Sequence, residues 1–185
     1  RCAELIGEKI PDAKVVELRG IEGTSSVAGR EKGFRDVMAE QYPDMEIVVE
    51  QTANFSRQEA MDAMANILQA KGPDAIDAVY CHNDEMALGA VEAYRKAGYE
   101  QAEWPVIFGI DGLDDALEAI KAGEMQGTVY NDKEDQALQI AKLAVEIFRG
   151  EDVNRNKLKE GRYYVSEYQP VYSSNVEDFI KRQTR

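Results

Sequence analysis

The chain contains 185 residues, of which 44% are hydrophobic and 31% charged, which is enough for one or two domains with a sizeable buried core. Its 35 acidic residues exceed its 22 basic residues and give a net charge of -13 at pH 7. This negative field repels phosphate groups and argues against nucleic acid or an anionic membrane as a partner. One histidine and two cysteines cannot supply a zinc site with four Cys or His ligands.

The apolar runs are short and interrupted by charged residues, so no transmembrane helix is predicted. No signal-peptide pattern is present, and the chain opens on Arg1 rather than Met. These features suggest a mature form or a piece of a longer protein. Cys2 and Cys81 form one disulfide or remain two free thiols, and their number does not decide between these alternatives.

Short apolar runs alternate with helical patterns along most of the chain. Strands are predicted at 15–18, 46–49, 78–81, 105–110 and 128–130. Helices are predicted at 25–41, 56–70, 83–97, 113–123 and 133–149. Ser56 and Glu59 match a capping box, and Gly72 and Gly98 mark helix ends. The alternation predicts an α/β fold with a doubly wound parallel sheet covered by helices on both faces.

The pattern changes after Gly150. Residues 151–161 are polar and are predicted to form a solvated loop, and 162–173 are predicted to form one or two strands broken at Pro170. A short helix is predicted at 175–182.

Sequence motifs of common enzymes are absent: no phosphate-binding glycine loop, nucleophile elbow or zinc-protease pair occurs. His82 has no serine or cysteine nucleophile at a recognisable spacing. Acidic pairs at 84–85 and 114–115 leave carboxylate chemistry open. Their simpler interpretation is that acids in the first turn of a helix complement its dipole.

Polar side chains follow four of the predicted strands, at the end where open α/β sheets bind ligands. They are Arg30, Asn83, Asp111 and Asn131, and Phe55 lies in the loop after the second strand. Carboxylate, amide and guanidinium groups match the donors and acceptors of sugar hydroxyls, and an aromatic ring covers the C–H face of a sugar. The pattern therefore suggests a site for a small polar ligand such as a carbohydrate.

Each of these residues also has an ordinary structural interpretation. Asn83 and Asp111 stand where N-caps are common, and one residue of the pair 131–132 could cap the next helix. Arg30 could be a surface arginine and Phe55 a core residue. Capping and ligand binding do not exclude each other.

Four segments together resemble the bacterial periplasmic sugar-binding proteins of the ribose- and galactose-binding type, the type I substrate-binding proteins of ABC transporters. They lie in the same order with matching gaps at 20–34, 82–90, 108–112 and 122–132. The last segment looks closer to the glucose/galactose-type members. The resemblance covers the chain from Arg1 to about Lys181.

The resemblance implies two α/β lobes that close on a sugar, and a membrane permease or a chemoreceptor that recognises the closed form. It also implies a protein that is located in the periplasm or held by a lipid anchor outside the cell. Arg30, Asn83, Asp111 and Asn131 match residues that hydrogen-bond a monosaccharide or polyol, and Phe55 matches the aromatic residue that stacks on it. No cofactor, metal or catalysis is implied. His82 departs from the more usual neutral residue at its position and either reaches the pocket or points away.

Most of the other lobe, which precedes this region in the family, has no counterpart here, so the chain is expected to be a truncated fragment. Residues 1–131 are expected to form the C-terminal sugar-binding lobe, and 132–185 a crossover helix, strands and terminal helix. The predicted helix 133–149 carries an apolar stripe that is expected to fold back on its own lobe or to pair in a dimer. The stripe consists of Ala137, Ile140, Ala141, Ala144, Ile147 and Phe148.

Two other classes of function remain as alternatives. The effector-binding core of a LacI-type transcriptional repressor has the same fold. Such a repressor also carries a DNA-binding segment, but truncation of the chain could hide whether that segment exists. A carboxylate-dependent enzyme or signalling domain on a flavodoxin-like lobe is the third interpretation.

Overall fold

The structure, a computed structural model, describes residues 1–150, 158 and 164–183. Its strands are β1 (Lys14–Arg19), β2 (Glu46–Thr52), β3 (Ala78–Cys81), β4 (Val106–Asp111), β5 (Gly127–Tyr130) and β6 (Gln169–Tyr172). Its α-helices are α1 (Cys2–Gly7), α2 (Ser25–Gln41), α3 (Arg57–Lys71), α4 (Asp84–Ala97), α5 (Asp114–Lys121), α6 (Lys133–Phe148) and α7 (Val176–Gln183). Short 3-10 helices occupy Pro73–Ala75 and Gln101–Glu103.

The six strands form one sheet in the order β2-β1-β3-β4-β5-β6. β1 pairs in parallel with both β2 and β3, and β3 pairs in parallel with β4. The chain therefore moves outward from β1 to β2 and then crosses to the other side of β1, which leaves a crevice at the carboxyl ends of β1 and β3. The predicted α/β class with a doubly wound sheet is confirmed.

Helices cover both faces of this sheet. On one face, Phe34 of α2 stacks on Tyr80 of β3 with ring centroids 4.0 Å apart, and Cys2 and Ile6 of α1 belong to the same buried cluster. Elsewhere α3 and α4 pack against each other. A Cβ atom at Gly89 of α4 would lie 2.3 Å from the main-chain oxygen of Arg57, so the glycine permits this close approach.

Local capping explains why the predicted helices begin and end where they do. The Ser56 hydroxyl accepts a hydrogen bond from the backbone N–H of Glu59 at 3.3 Å, as expected of an N-cap. Gly72 and Gly98 end α3 and α4 with φ angles of 77° and 79°, which a glycine adopts without strain. The bounds of α2 agree with the prediction at both ends.

The structure divides into two compact units, Arg1–Val129 with Pro170–Arg185, and Tyr130–Gln169. The second unit contains α6, whose N-cap Asp132 accepts a hydrogen bond from the backbone N–H of Asp135 at 2.9 Å. The helix has no buried residue, and Ile140 and Phe148 are 69% and 92% exposed. Folding back on the lobe and pairing in a dimer both stay predictions for its apolar stripe.

Two further elements differ from the sequence prediction. α1 was not predicted, because six residues are too few to show a helical period; its apolar side chains are held by burial against the sheet. Pro170 lies within β6 rather than breaking it. β6 ends the strand order, where the missing N–H of a proline is tolerated. Apart from residue 158, the predicted loop at 151–161 lies outside the described residues.

Candidate functional site

Arg30 and Asp111 form an ion pair at the carboxyl ends of the central strands. Nη2 of Arg30 lies 3.1 Å from Oδ1 of Asp111, and Nη1 donates a hydrogen bond to the main-chain oxygen of His82. The two side chains are 17% and 30% exposed. The guanidinium is therefore fixed from two directions, unlike that of an ordinary surface arginine.

The backbone of Asp111 adopts a conformation that L-residues rarely take. Its φ is 127°, and the next residue, Gly112, has a φ of 77°. The alternative interpretation of Asp111 as an N-cap is wrong, because α5 has Leu113 at its N-cap and no side-chain capping bond. A strained residue of this kind persists only where the surrounding structure fixes it, and such residues cluster at functional sites.

Phe55 places an aromatic ring beside this ion pair. Cζ of Arg30 lies 5.8 Å from the centroid of the Phe55 ring, and the ring is half-buried. A Cβ atom added at Gly20 would lie 2.1 Å from two ring carbons, so the ring occupies space that only a glycine leaves free. Asn54 and Phe55 have φ angles of 50° and 60°, which turn the chain sharply after β2.

Asn83 joins the same cluster and also caps a helix. Its Oδ1 accepts a hydrogen bond from the backbone N–H of Met86 at 3.0 Å, which confirms the capping interpretation. Its Nδ2 donates to the main-chain oxygen of Phe55 at 3.4 Å. The structure thus brings Arg30, Phe55, Asn83 and Asp111 together.

Asp84, one of the acidic pair at 84–85, is a buried carboxylate next to the cluster, a position that its sequence did not indicate. Its Oδ2 accepts hydrogen bonds from the backbone N–H groups of Gly112 and Leu113 at 2.7 and 2.8 Å, and its Oδ1 accepts from the Thr128 hydroxyl at 2.6 Å. Burial raises the pKa of Asp84 to about 6, although the hydrogen bonds from Thr128 and the two backbone groups oppose this shift. Asp84 does stand in the first turn of α4, where an acid complements the helix dipole, but all of these hydrogen bonds come from beyond its own helix.

His82 points into the protein rather than toward the cluster. Its ring is fully buried, and Nε2 lies 2.9 Å from Oε1 of Glu17, which is also fully buried. Glu17 in turn accepts a hydrogen bond from Arg35 at 3.0 Å. Only the main-chain oxygen of His82 contacts the cluster, through Arg30.

Asn131 belongs to the second unit, where it directly follows β5. Its Oδ1 accepts a hydrogen bond from Gln136 of α6. The adjacent Asp132, not Asn131, caps that helix. A ligand-binding role for Asn131 stays a prediction.

The chemistry available at this site is hydrogen bonding. Across the described ranges, which omit 151–157, 159–163 and 184–185, no group of three or more His, Cys, Asp and Glu side chains is arranged to hold a metal ion. Cys2 and Cys81 are buried free thiols, and burial raises the pKa of Cys2 to about 12, which suppresses thiolate reactivity. Guanidinium and amide donors, a carboxylate acceptor and an aromatic ring suit a neutral polyhydroxylated molecule.

A doubly wound lobe with such a cluster at its strand ends belongs to the class of small-ligand-binding α/β proteins. A family model described as "Periplasmic binding protein domain" matches residues 1–152. The chain belongs to this periplasmic binding protein family, as its resemblance to type I substrate-binding proteins indicated.

Individual relatives are binding proteins as well. The chain is 36% identical over 151 residues to the xylitol-binding protein of Mycolicibacterium smegmatis, covering 82% of this chain and 41% of that protein. It is 36% identical over 155 residues to the ribose import binding protein of Bacillus subtilis, covering 83% and 48%. The chain therefore spans about half the length of the curated relatives it matches.

A solved structure supports the same fold. The solute binding protein of an ABC transporter from Bacillus halodurans, with bound myo-inositol, superimposes with a TM-score of 0.86 at 31% identity. The alignment covers 97% of this chain and 58% of that one.

In the part of this chain that the structure describes, no helix has the length and apolarity needed to cross a membrane.

Proposed function

We propose that this chain is one lobe of a substrate-binding protein that delivers a monosaccharide or polyol to the permease of an ABC transporter. The single observation that carries the proposal is the cluster of Arg30, Phe55, Asn83 and Asp111 at the carboxyl ends of the central strands. Relatives that bind xylitol, ribose and myo-inositol support a polyhydroxylated ligand.

Each member of the cluster has a distinct task in this proposal. Asp111 accepts hydrogen bonds from ligand hydroxyls, Asn83 and Arg30 donate them, and Phe55 covers a C–H face of the ligand. The Arg30–Asp111 pair holds both groups ready, so less conformational entropy is lost when the ligand binds.

The ligand is held rather than transformed, because the cluster contains no nucleophile paired with a base. The other wall of the cleft comes from a second α/β lobe outside this chain. The binding protein acts outside the cytoplasm, free in the periplasm or lipid-anchored, and a chemoreceptor is a second partner for its closed form.

Nuclear magnetic resonance of the 185-residue chain tests the proposal directly. Titration with myo-inositol, ribose and xylitol is expected to shift backbone amide signals near Arg30, Asn83 and Asp111, with an affinity of ~1 mM or weaker because one wall of the cleft is missing. Cyclohexanol, which has one hydroxyl on the same ring size as myo-inositol, is the ligand control and should leave these signals in place.

Two variants make the test specific. Asp111→Asn should abolish the localised shifts, whereas Asp114→Asn removes an equal charge from an exposed position on α5 and should leave them unchanged. Absence of localised shifts with all three ligands would overturn the proposal. Micromolar binding by this chain alone would overturn the requirement for a second wall.

A further inference from the structure

We propose that Asp84 is a positioning residue of the ligand site: its carboxylate fixes Asp111 in the strained conformation in which it receives the ligand. The inference rests on the proposed function, because positioning matters only if Asp111 binds. Asp84 itself is fully buried and lies outside the cluster that would touch the ligand.

The contacts of Asp84 are directed at the loop that carries Asp111. One oxygen receives the backbone N–H groups of Gly112 and Leu113, the two residues that directly follow Asp111. Both bonds are short, at 2.7 and 2.8 Å, and both are assisted by the charge of the carboxylate. They fix the direction in which the chain leaves Asp111.

The conformation of Asp111 needs such an anchor. A φ of 127° is unfavourable for any residue with a Cβ atom, so without external bonds the loop would relax toward negative φ. Relaxation would rotate the carboxylate of Asp111 away from Arg30, to which it is joined at 3.1 Å. The two amide bonds to Asp84 oppose this relaxation.

The same carboxylate joins the segments that follow β3 and β4 to a residue of β5. Asp84 directly follows Asn83 after β3, it binds the loop after β4, and its other oxygen receives the Thr128 hydroxyl of β5 at 2.6 Å. Gly109 of β4 is a glycine for this reason, since a Cβ atom there would lie 2.2 Å from Oδ1 of Asp84. One buried group thus sets the spacing between Asn83 and Asp111.

A role in helix capping alone does not account for these features. Asn83 already caps α4, and an acid that merely complements the helix dipole can remain exposed to solvent. Asp84 is instead buried, and its hydrogen-bond partners lie 28, 29 and 44 residues away in the sequence.

Substitutions at Asp84 separate geometry from charge. In Asp84→Asn, the amide oxygen can still accept from the backbone N–H groups of Gly112 and Leu113, while the NH2 group faces the Thr128 hydroxyl, which can accept instead of donate. In Asp84→Ala, all of these bonds are lost. Positioning therefore predicts that Asn preserves ligand affinity and that Ala does not.

The experiment uses the 185-residue chain with myo-inositol as the probe. The three-bond HN–Hα coupling of residue 111 reports its φ angle without ligand, and the ligand titration reports affinity. Asp84→Ala is expected to change the coupling and to weaken myo-inositol binding about tenfold or more. The affinity of Asp84→Asn for myo-inositol is expected to stay within about threefold of that of the wild type. Asp114→Asn is the matched control and should change neither.

Weaker binding by Asp84→Ala with an unchanged coupling at residue 111 would overturn the inference, because the loss would then not come from the backbone of Asp111. If Asp84→Ala does not fold, Thr128→Val serves in its place, since it removes one bond and should weaken binding to a smaller extent, with Thr128→Ser restoring it. An altered coupling with unchanged affinity would overturn the inference but leave the proposed function standing, as would equal loss in the Asn and Ala variants. A wild-type chain that shows no localised shifts would overturn both.

Discussion

The strained backbone of Asp111 can be measured by comparing two substitutions that remove the same side chain. Asp111→Gly and Asp111→Ala both eliminate the ion pair with Arg30, so their difference in stability does not contain that term. What differs is the φ of 127°, which a glycine adopts freely and an alanine does not. We expect Asp111→Gly to be the more stable of the two.

The magnitude follows from two opposing effects. A residue held in a sparsely populated region costs about 1–3 kcal/mol. Glycine also gains conformational freedom in the unfolded chain, which lowers stability by about 0.4–1 kcal/mol relative to alanine. The free energy of unfolding of Asp111→Gly should therefore exceed that of Asp111→Ala by about 1.3 kcal/mol, the midpoint of a range of roughly 0–2.6 kcal/mol. Each kcal/mol corresponds to roughly 2–4 °C in melting temperature for a chain of this size.

Urea unfolding followed by circular dichroism supplies both free energies. Asp114→Gly and Asp114→Ala form the control pair, because Asp114 lies in α5 and there glycine should be less stable by about 0.5–1 kcal/mol. Opposite signs at the two positions would establish the strain. An Asp111→Ala variant as stable as Asp111→Gly would refute the reasoning that tertiary contacts hold Asp111 against its backbone preference.

Further predictions concern the buried carboxylate, the aromatic ring and the exposed helix. Because burial raises the pKa of Asp84 to about 6, the folded protein keeps a proton that the unfolded chain, with a pKa of about 3.9, loses at lower pH. The wild type should thus lose about 3 kcal/mol of unfolding free energy, compared with Asp84→Asn, as the pH rises from about 4 to about 6. Urea titrations at several pH values measure this difference between the two proteins, and a difference that does not change with pH would contradict the prediction. Gly20→Ala should displace the Phe55 ring and so weaken the binding of myo-inositol. The melting temperature should change little, because the ring lies at the far end of a side chain that can move. Unchanged affinity for myo-inositol would show that Phe55 is not part of the site. The chain should dimerise through the exposed apolar stripe of α6, and sedimentation velocity should detect the dimer. The double variant Ile140→Glu with Phe148→Glu should be a monomer. A wild-type chain that sediments as a monomer would disprove the pairing.

Local features of the sequence were enough to predict most elements of the sheet and the helices around it. The capping serine at 56 and the glycines at 72 and 98 act on residues within one turn of themselves, so their effect can be identified without knowing the fold. The parallel direction of the strands followed from the alternation of strands and helices, because a helix between two strands carries the chain back across a face of the sheet. The clustering of Arg30, Asn83 and Asp111 followed from the common edge on which parallel strands end.

Tertiary structure alone decided what each polar side chain does. Asp84 has the sequence signature of a first-turn acid, and only the approach of β4 and β5 makes it a buried acceptor. His82 was ambiguous until the structure placed its ring against Glu17. The strain at Asp111 has no local cause at all, since its own preference opposes the φ it adopts. Periodicity and capping are short-range properties that a sequence displays directly, whereas burial and hydrogen bonds between distant residues exist only once the chain has folded.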